Sequence, residues 1–448
     1  MHEDTGPEKT AIIDDVARAI GEDGAGAKLA PLLFARPPVE DLKAFDTAAL
    51  VAAALAGAKA LAAHRPGEPL VWIDRPEDFR RNGAAQELIT IVSDDMAFLF
   101  DSLTAEIAER ANEIHYISHP IIDVTRGDDG SLTDFSASRP GEETRAGTRR
   151  TSVIQFAVDP MAGGDPGSGL SEALEKILAQ VFDANRDFQV MRQRVDRAVV
   201  DLTNRAETLP EAERPGAIEV ARLLEWLRDD NFIFLGTCDY DYYGERDGEE
   251  LERRQSEALG ILSDPEIRIL GRHGRPMATT PEIRKFLKDP APLIVTKANA
   301  RSVVHRRAYM DYVGVKQYDG EGRLTGELRI VGLFTSTAYT RSILTIPYVR
   351  QKAETVLANS RFHRQSHSGK ALLNALESYP RDEVFQIDTD LLERFAAIVV
   401  EPRRTAAGAH PAAHRRVRPL RLDHRLRAEG PLRFPPEGAH RPSPRGGL

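Results

Sequence analysis

Cysteine is nearly absent from this 448-residue chain, where Cys238 stands alone. An internal disulfide and a cysteine-built metal cage are therefore excluded, and the usage fits a reducing, cytoplasmic setting. A dinucleotide fingerprint is lacking too. The nearest approach to G-x-G-x-x-G/A is Gly167-Ser168-Gly169, with Glu172 at the sixth position and Pro166 ahead of it. No strong strand leads in, so it reads as a loop before a helix. No G-x-x-x-x-G-K-[ST] occurs, which removes the P-loop. Long apolar runs are missing as well. The most apolar segment, Ala48–Ala63, is mostly alanine and contains Lys59. It falls short of the ~20 residues that a membrane span needs and is read as a surface helix. The N-terminus, MHEDTGPEKTAIIDD, is acidic and has no basic region before an apolar core, so no signal peptide is expected.

What is present is ordinary for a soluble globular protein: 41% hydrophobic and 29% charged residues. The length allows about two to four domains at ~100–200 residues each. The net charge of −9 is unevenly spread, because the stretch from Pro402 onward holds 11 Arg against 3 acidic residues and the rest carries −17. An acidic body argues against nucleic-acid binding, which rests on phosphate neutralisation. The last 47 residues also contain 8 Pro and no Lys, and show neither helical nor strand periodicity. They read either as a disordered basic tail or, the reading preferred here, as out-of-frame translation of a GC-rich gene.

Ala11–Ile20 and Asp46–Ala63 carry helical patterns. Glu87–Val92 is a strand, and Met96–Ala111 places apolar residues at 96, 99, 100, 103 and 107, which is helical spacing. Ile114–Val124 and Ser152–Val158 are strand-like, and Leu170–Phe182 is an amphipathic helix. This order predicts an α+β unit with helices on one face of a small antiparallel sheet. Val190–Thr203 and Ile218–Arg228 are expected connecting helices, broken at Pro210 and Pro215. Phe232–Leu235 opens a second α+β unit. It closes with a hairpin of Tyr312–Tyr318 and Leu324–Phe334 around Asp319-Gly320-Glu321-Gly322. Helices are expected over Tyr348–Leu357 and from Gly369.

Several residues invite chemistry. Asp94 and Asp95 follow a strand and precede a helix, where a carboxylate accepts free first-turn N–H groups. Contact with a small ligand is the other reading. Lys297, Arg301, His305, Arg306 and Lys316, with Arg307, form a cationic group suited to an anion. The competing reading is ion pairing with Asp311 or Glu327, or with acidic surfaces of further domains. His115 and His119 would lie ~13 Å apart on one strand face, too far for one zinc, so both read as structural. Cys238 reads as an inert thiol, and Ser366 or Ser368 as the cap of a helix. No catalytic or metal-binding residue is assigned.

The words VTKANARSVVHRRAYMDYVGVK, GLFTSTAYT, SHSGKALLNALESYPRDEVFQI, SDDMAFLFDSLTAEI, IHYISHPIIDV and EWLRDDNFIFLG cover roughly Leu70–Val400. In these words the chain resembles the N-terminal region of the large bacterial NAD-dependent glutamate dehydrogenases. The resemblance implies tandem ACT-like modules, and ligand contact by Asp94 or Asp95 with a small amino-acid effector. It also implies a homo-oligomer, and NAD as cofactor of the full-length enzyme with none bound here. The parent reaction would convert L-glutamate, NAD and water to 2-oxoglutarate, ammonium and NADH. Its catalytic lysine and aspartate would belong to a domain outside this chain. The expected divisions are 1–69 (helical), 70–185 (first module), 186–230 (helical connector), 231–360 (second module), 361–400 (start of a further module) and 401–448 (tail). The alternative is a freestanding amino-acid-binding regulatory protein.

Overall fold

The computed structural model describes residues 6–21, 24–111, 113–139, 141, 144–161, 169–244, 251–272, 275–276 and 280–400. Gly167, Ser168 and the whole tail from 401, with the out-of-frame reading attached to it, lie outside the described residues. Among the described residues no helix is long and apolar enough to cross a membrane.

The chain opens with α1 (Pro7–Ile20), α2 (Ala25–Phe34), α3 (Val39–Lys43) and α4 (Thr47–Ala63). It continues through β1 (Leu70–Asp74), the short pair β2 (Arg80–Arg81) and β3 (Ala84–Ala85), and β4 (Glu87–Asp94). Then come α5 (Leu99–Arg110), β5 (Ile114–Ser118), β6 (Ile121–Arg126), β7 (Leu132–Ala137), β8 (Thr148–Val158) and α6 (Leu170–Arg186). The first sheet has the order β1-β4-β8-β6-β7, with β5 also on β8, and its pairs are antiparallel. His119 and Pro120 divide the expected Ile114–Val124 strand into β5 and β6, which meet different stretches of β8.

The expected placement of helices on one face of this sheet needs correction. Ile89, Ile91, Ile154 and Phe156 face a core shared with α5 and α6. Leu88, Val92, Val153 and Ala157 face a second core filled by α1, α2 and α4. Both faces are covered, which is why β4 is buried from Glu87 to Ser93 without alternation. The surface-helix reading of Ala48–Ala63 holds for one face of α4, where Ala48, Leu55 and Lys59 are exposed, while the opposite face is covered. Ala49, Leu50, Ala53, Ala54, Ala60 and Leu61 of α4 are buried. Small side chains let this helix lie close to the sheet. A Cβ on Gly57 would stand 3.2 Å from Nε2 of Gln155, and that same nitrogen donates to the Ala53 carbonyl at 2.8 Å.

His64 ends α4, 2% exposed, and among the described residues neither of its ring nitrogens has a hydrogen-bond partner. Burial lowers its pKa to about 4, against a smaller opposing pull from Asp94. The unfolded chain therefore binds a proton between about pH 6.5 and 4 that the folded chain refuses, so stability falls as pH falls through that window. Relative to His64→Leu, the parent protein should lose about 2 kcal/mol between pH 7 and 5. Urea unfolding of both proteins at the two pH values measures the difference, and the carboxylates common to both cancel.

After α6 come α7 (Phe188–Thr208) and α8 (Arg214–Trp226), whose start holds Pro215 in its first turn. The second sheet follows from β9 (Phe232–Tyr242), β10 (Leu251–Arg253) and β11 (Leu259–Gly260). A short pair, β12 (Gly271–Arg272) and β13 (Arg275–Pro276), and α9 (Pro281–Lys288) precede β14 (Leu293–Arg301), β15 (Tyr309–Tyr318) and β16 (Leu324–Phe334). The order is β10-β9-β16-β15-β14, antiparallel, with β11 also on β9, so the expected hairpin is its centre. One face of this sheet, with Leu235, Tyr240, Tyr312, Val331 and Leu333, joins the same core as α5 and α6. The other, with Phe234, Val313, Val315, Leu328 and Ile330, is covered by α7, α8 and the helices that follow. Those are α10 (Ser336–Thr340), α11 (Val349–Asn359), α12 (His367–Glu377), α13 (Arg381–Gln386) and α14 (Thr389–Val400). The helical layer of α5 and α6 thus shares its core with both sheets.

Candidate functional site

The loop between β14 and β15 fastens the second sheet to α5. Ser302 folds it locally: its N–H donates to the Ala308 carbonyl at 2.8 Å, and its Oγ accepts from the Val304 N–H at 3.0 Å. His305 is held at φ 66°, a left-handed conformation that a non-glycine residue seldom adopts. In that conformation its N–H donates to Oγ of Ser102 at 2.8 Å, and its Nδ1 lies 3.2 Å from Asp101. Its ring packs on Phe98 at 5.1 Å. Arg307 bonds Glu106, which also accepts from Nε of Arg110 at 2.6 Å. His305 and Arg307 therefore reach the first sheet's helix, while Arg306 between them turns the other way and donates to the Phe334 carbonyl at 2.8 Å.

The remaining cations of the expected anion group are dispersed. Lys297 pairs with Asp311 at 2.6 Å, directly across the β14–β15 ladder. Arg301 lies over the Tyr309 ring at 5.0 Å. Lys316 donates to the Asp289 carbonyl and packs on Phe286, and burial lowers its pKa to about 8. Glu327, an expected partner of this group, is instead bonded by Arg329 at 3.0 Å and by the Tyr312 hydroxyl.

Asp94 and Asp95 do not cap α5, contrary to the first reading. The helix starts at Leu99 after Phe98, whose φ is 68°, and no side chain caps it. Three residues separate Asp95 from the first turn, and both carboxylates turn toward neighbouring segments instead. Asp94 accepts from the Gly67 N–H at 3.0 Å and from Arg149 at 3.1 Å, and its buried Oδ1 has no hydrogen-bond partner among the described residues. Asp95 accepts from Oγ of Ser152 at 2.7 Å, and that oxygen lies 3.1 Å from Nε2 of His119. His119 stacks on Phe100 at 4.9 Å. Burial lowers its pKa. Sequence reasoning missed Ser152 and Arg149 because they arrive from β8, with no local motif to announce them.

His115 has other company, with Nε2 2.8 Å from Asp159 and Nδ1 3.9 Å from Glu113. These three residues bring ligand atoms within 4.8 Å of one another. The carboxylates face opposite ring nitrogens, so an ion in line with one nitrogen would be remote from the other. Cys238 is buried, and burial raises its pKa. Ser366 caps α12, accepting from the Gly369 N–H at 3.0 Å.

Comparison with known proteins places these elements. A family model described as "Glutamate dehydrogenase, ACT1 domain" matches residues 29–174, and "Glutamate dehydrogenase, helical motif 1" matches residues 346–402. The NAD-specific glutamate dehydrogenase of Halomonas elongata is 32% identical over 389 residues, which is 84% of this chain and 23% of that protein. That of Pseudomonas aeruginosa is 30% identical over 342 residues, 74% of this chain and 20% of its own length. That of Mycobacterium tuberculosis is 27% identical over 363 residues, 79% and 20% respectively. The chain belongs to the NAD-specific glutamate dehydrogenases, as their N-terminal region. It spans less than a quarter of the curated relatives' length. Within the chain the ACT1 match runs from α2 into α6 and includes α5, and the helical motif covers α11–α14. The loop of residues 302–308 lies between the two matches.

Proposed function

We propose that this region assembles and regulates an oligomeric, cytoplasmic glutamate dehydrogenase whose catalytic groups lie elsewhere in the full-length protein. The parent reaction is the NAD-dependent oxidative deamination of L-glutamate to 2-oxoglutarate and ammonium. A small amino-acid effector is placed at the turn between β4 and α5, beside Asp94 and Asp95, within an ACT-like module. One observation carries the reading: the helix that follows this turn is gripped by His305 and Arg307 of the second sheet. A ligand that shifts the turn would therefore act on both sheets through α5.

The test is removal of residues 1–400 from the full-length enzyme. The expected result is a changed mass by light scattering, or loss of the response of kcat/KM to a panel of amino acids. Unchanged assembly together with unchanged kinetics would sink the proposal.

A further inference from the structure

A cleft of about 660 Å³ opens between α7 and the far end of the β15–β16 hairpin, away from the junction described above. Its size is that of a pocket for a small organic ligand. Four charged residues of α7 line it, Arg194, Arg197, Asp201 and Arg205, spaced three or four apart and so on one helix face.

Charges deeper in the cleft neutralise one another. Arg194 lies 2.5 Å from Glu257 and 3.3 Å from Asp239. Asp239 also accepts from Nε2 of Gln317 at 2.7 Å. Asp319 is taken up by Arg323 and by backbone N–H groups of its own turn.

Arg205 is different. Its guanidinium carbon stands 3.5 Å from the centre of the Tyr318 ring, which fixes the guanidinium on the aromatic face. Stacking uses the face and leaves the N–H donors at the edge. Among the described residues, none of those donors has a hydrogen-bond or ion-pair partner. Asp201, one turn earlier on the same face, forms no ion pair with it. The hairpin makes room for this arrangement at Gly322, at φ 81°, where a Cβ would stand 3.3 Å from Nη1 of Arg205. A guanidinium held in place with its fork unspent is suited to bidentate bonding of a carboxylate or a phosphate. Arg197 adds a second cation, while Asp201 disfavours a polyanion.

We propose that this cleft binds a small carboxylate or phosphate anion, with Arg205 on its Tyr318 platform as the anchoring group. The probes are sodium phosphate and sodium succinate, titrated separately into the 448-residue chain at constant ionic strength while Tm is followed. A saturable rise in Tm is expected in at least one arm, and the arm that responds identifies the anion's class. Arg205→Lys keeps the charge and loses the fork, so it should weaken the midpoint about tenfold. Tyr318→Leu removes the platform and should weaken it as well. Lys176→Gln, which removes an exposed cation of α6 paired with Glu172 outside the cleft lining, should leave it unchanged. Circular dichroism of each unliganded variant checks that it is folded. The proposal is overturned if neither anion gives a saturable shift, or if Arg205→Lys responds at the parent's midpoint. The saturation test on the parent chain stands whatever the variants do.

Discussion

Arg329→Met should destabilise the protein by about 3–5 kcal/mol, measured as the shift in urea unfolding. Arg329 is 1% exposed and its partner Glu327 0% exposed, two residues apart on one face of β16. Nε of Arg329 donates to Glu327 at 3.0 Å, and the guanidinium lies 3.6 Å from the centre of the Tyr240 ring. The Tyr312 hydroxyl donates to the other carboxylate oxygen. Room for that carboxylate exists only because residue 314 is glycine, since a Cβ there would meet Oε1 of Glu327 at 2.2 Å. Removing the arginine leaves a dry carboxylate with one hydroxyl hydrogen-bonded to it and Lys316, its cross-strand neighbour, acting only through charge, and desolvation then exceeds what remains of its bonding. Typical domains have only ~5–15 kcal/mol in total, so the loss is a large share. The double variant Glu327→Leu/Arg329→Met buries no charge and should recover most of it. A single variant within about 1 kcal/mol of the parent would show that the pair is solvated in solution.

The sheets were legible because alternation and turn chemistry are local. Leu324–Phe334 emerged as β16 with the boundaries read from sequence, and Asp319–Gly322 as its turn. The two-sided burial of the first sheet also had a signal, the unbroken ELITIV run, but its meaning depended on knowing that α1–α4 return to cover it. The start of α5 was not legible. A left-handed Phe98 between the carboxylates and the helix is unfavourable locally, and packing of its ring on His305 accompanies it. The run of basic residues misled in the same way. HRR at 305–307 reads as one basic patch, yet the loop sends alternate side chains to α5 and to the end of β16. Arg205 had no motif at all, because its significance comes from Tyr318, which only the tertiary fold brings beneath it.

Glu106→Ala should cost about 3 kcal/mol and release the 302–308 loop. Glu106 is 8% exposed and takes two arginines, Arg110 from its own helix and Arg307 from the second sheet. Only the second bond crosses between the two halves of the shared core. Without it, Arg307 is left three-quarters buried, with Glu109 at 3.9 Å as its nearest remaining carboxylate. That carboxylate is exposed, so its compensation is small. Hydrogen exchange should accelerate at residues 302–308 and along α5, while the β15–β16 ladder, held by its own pairing, keeps its protection. Adding Glu109→Ala should deepen the loss, whereas Glu109→Ala alone should do little. In the full-length enzyme the same Glu106→Ala change separates two roles for this contact. If α5 transmits an effector signal, the amino-acid response is lost while basal turnover stays. If the contact only stabilises the fold, both decline together with the amount of folded protein.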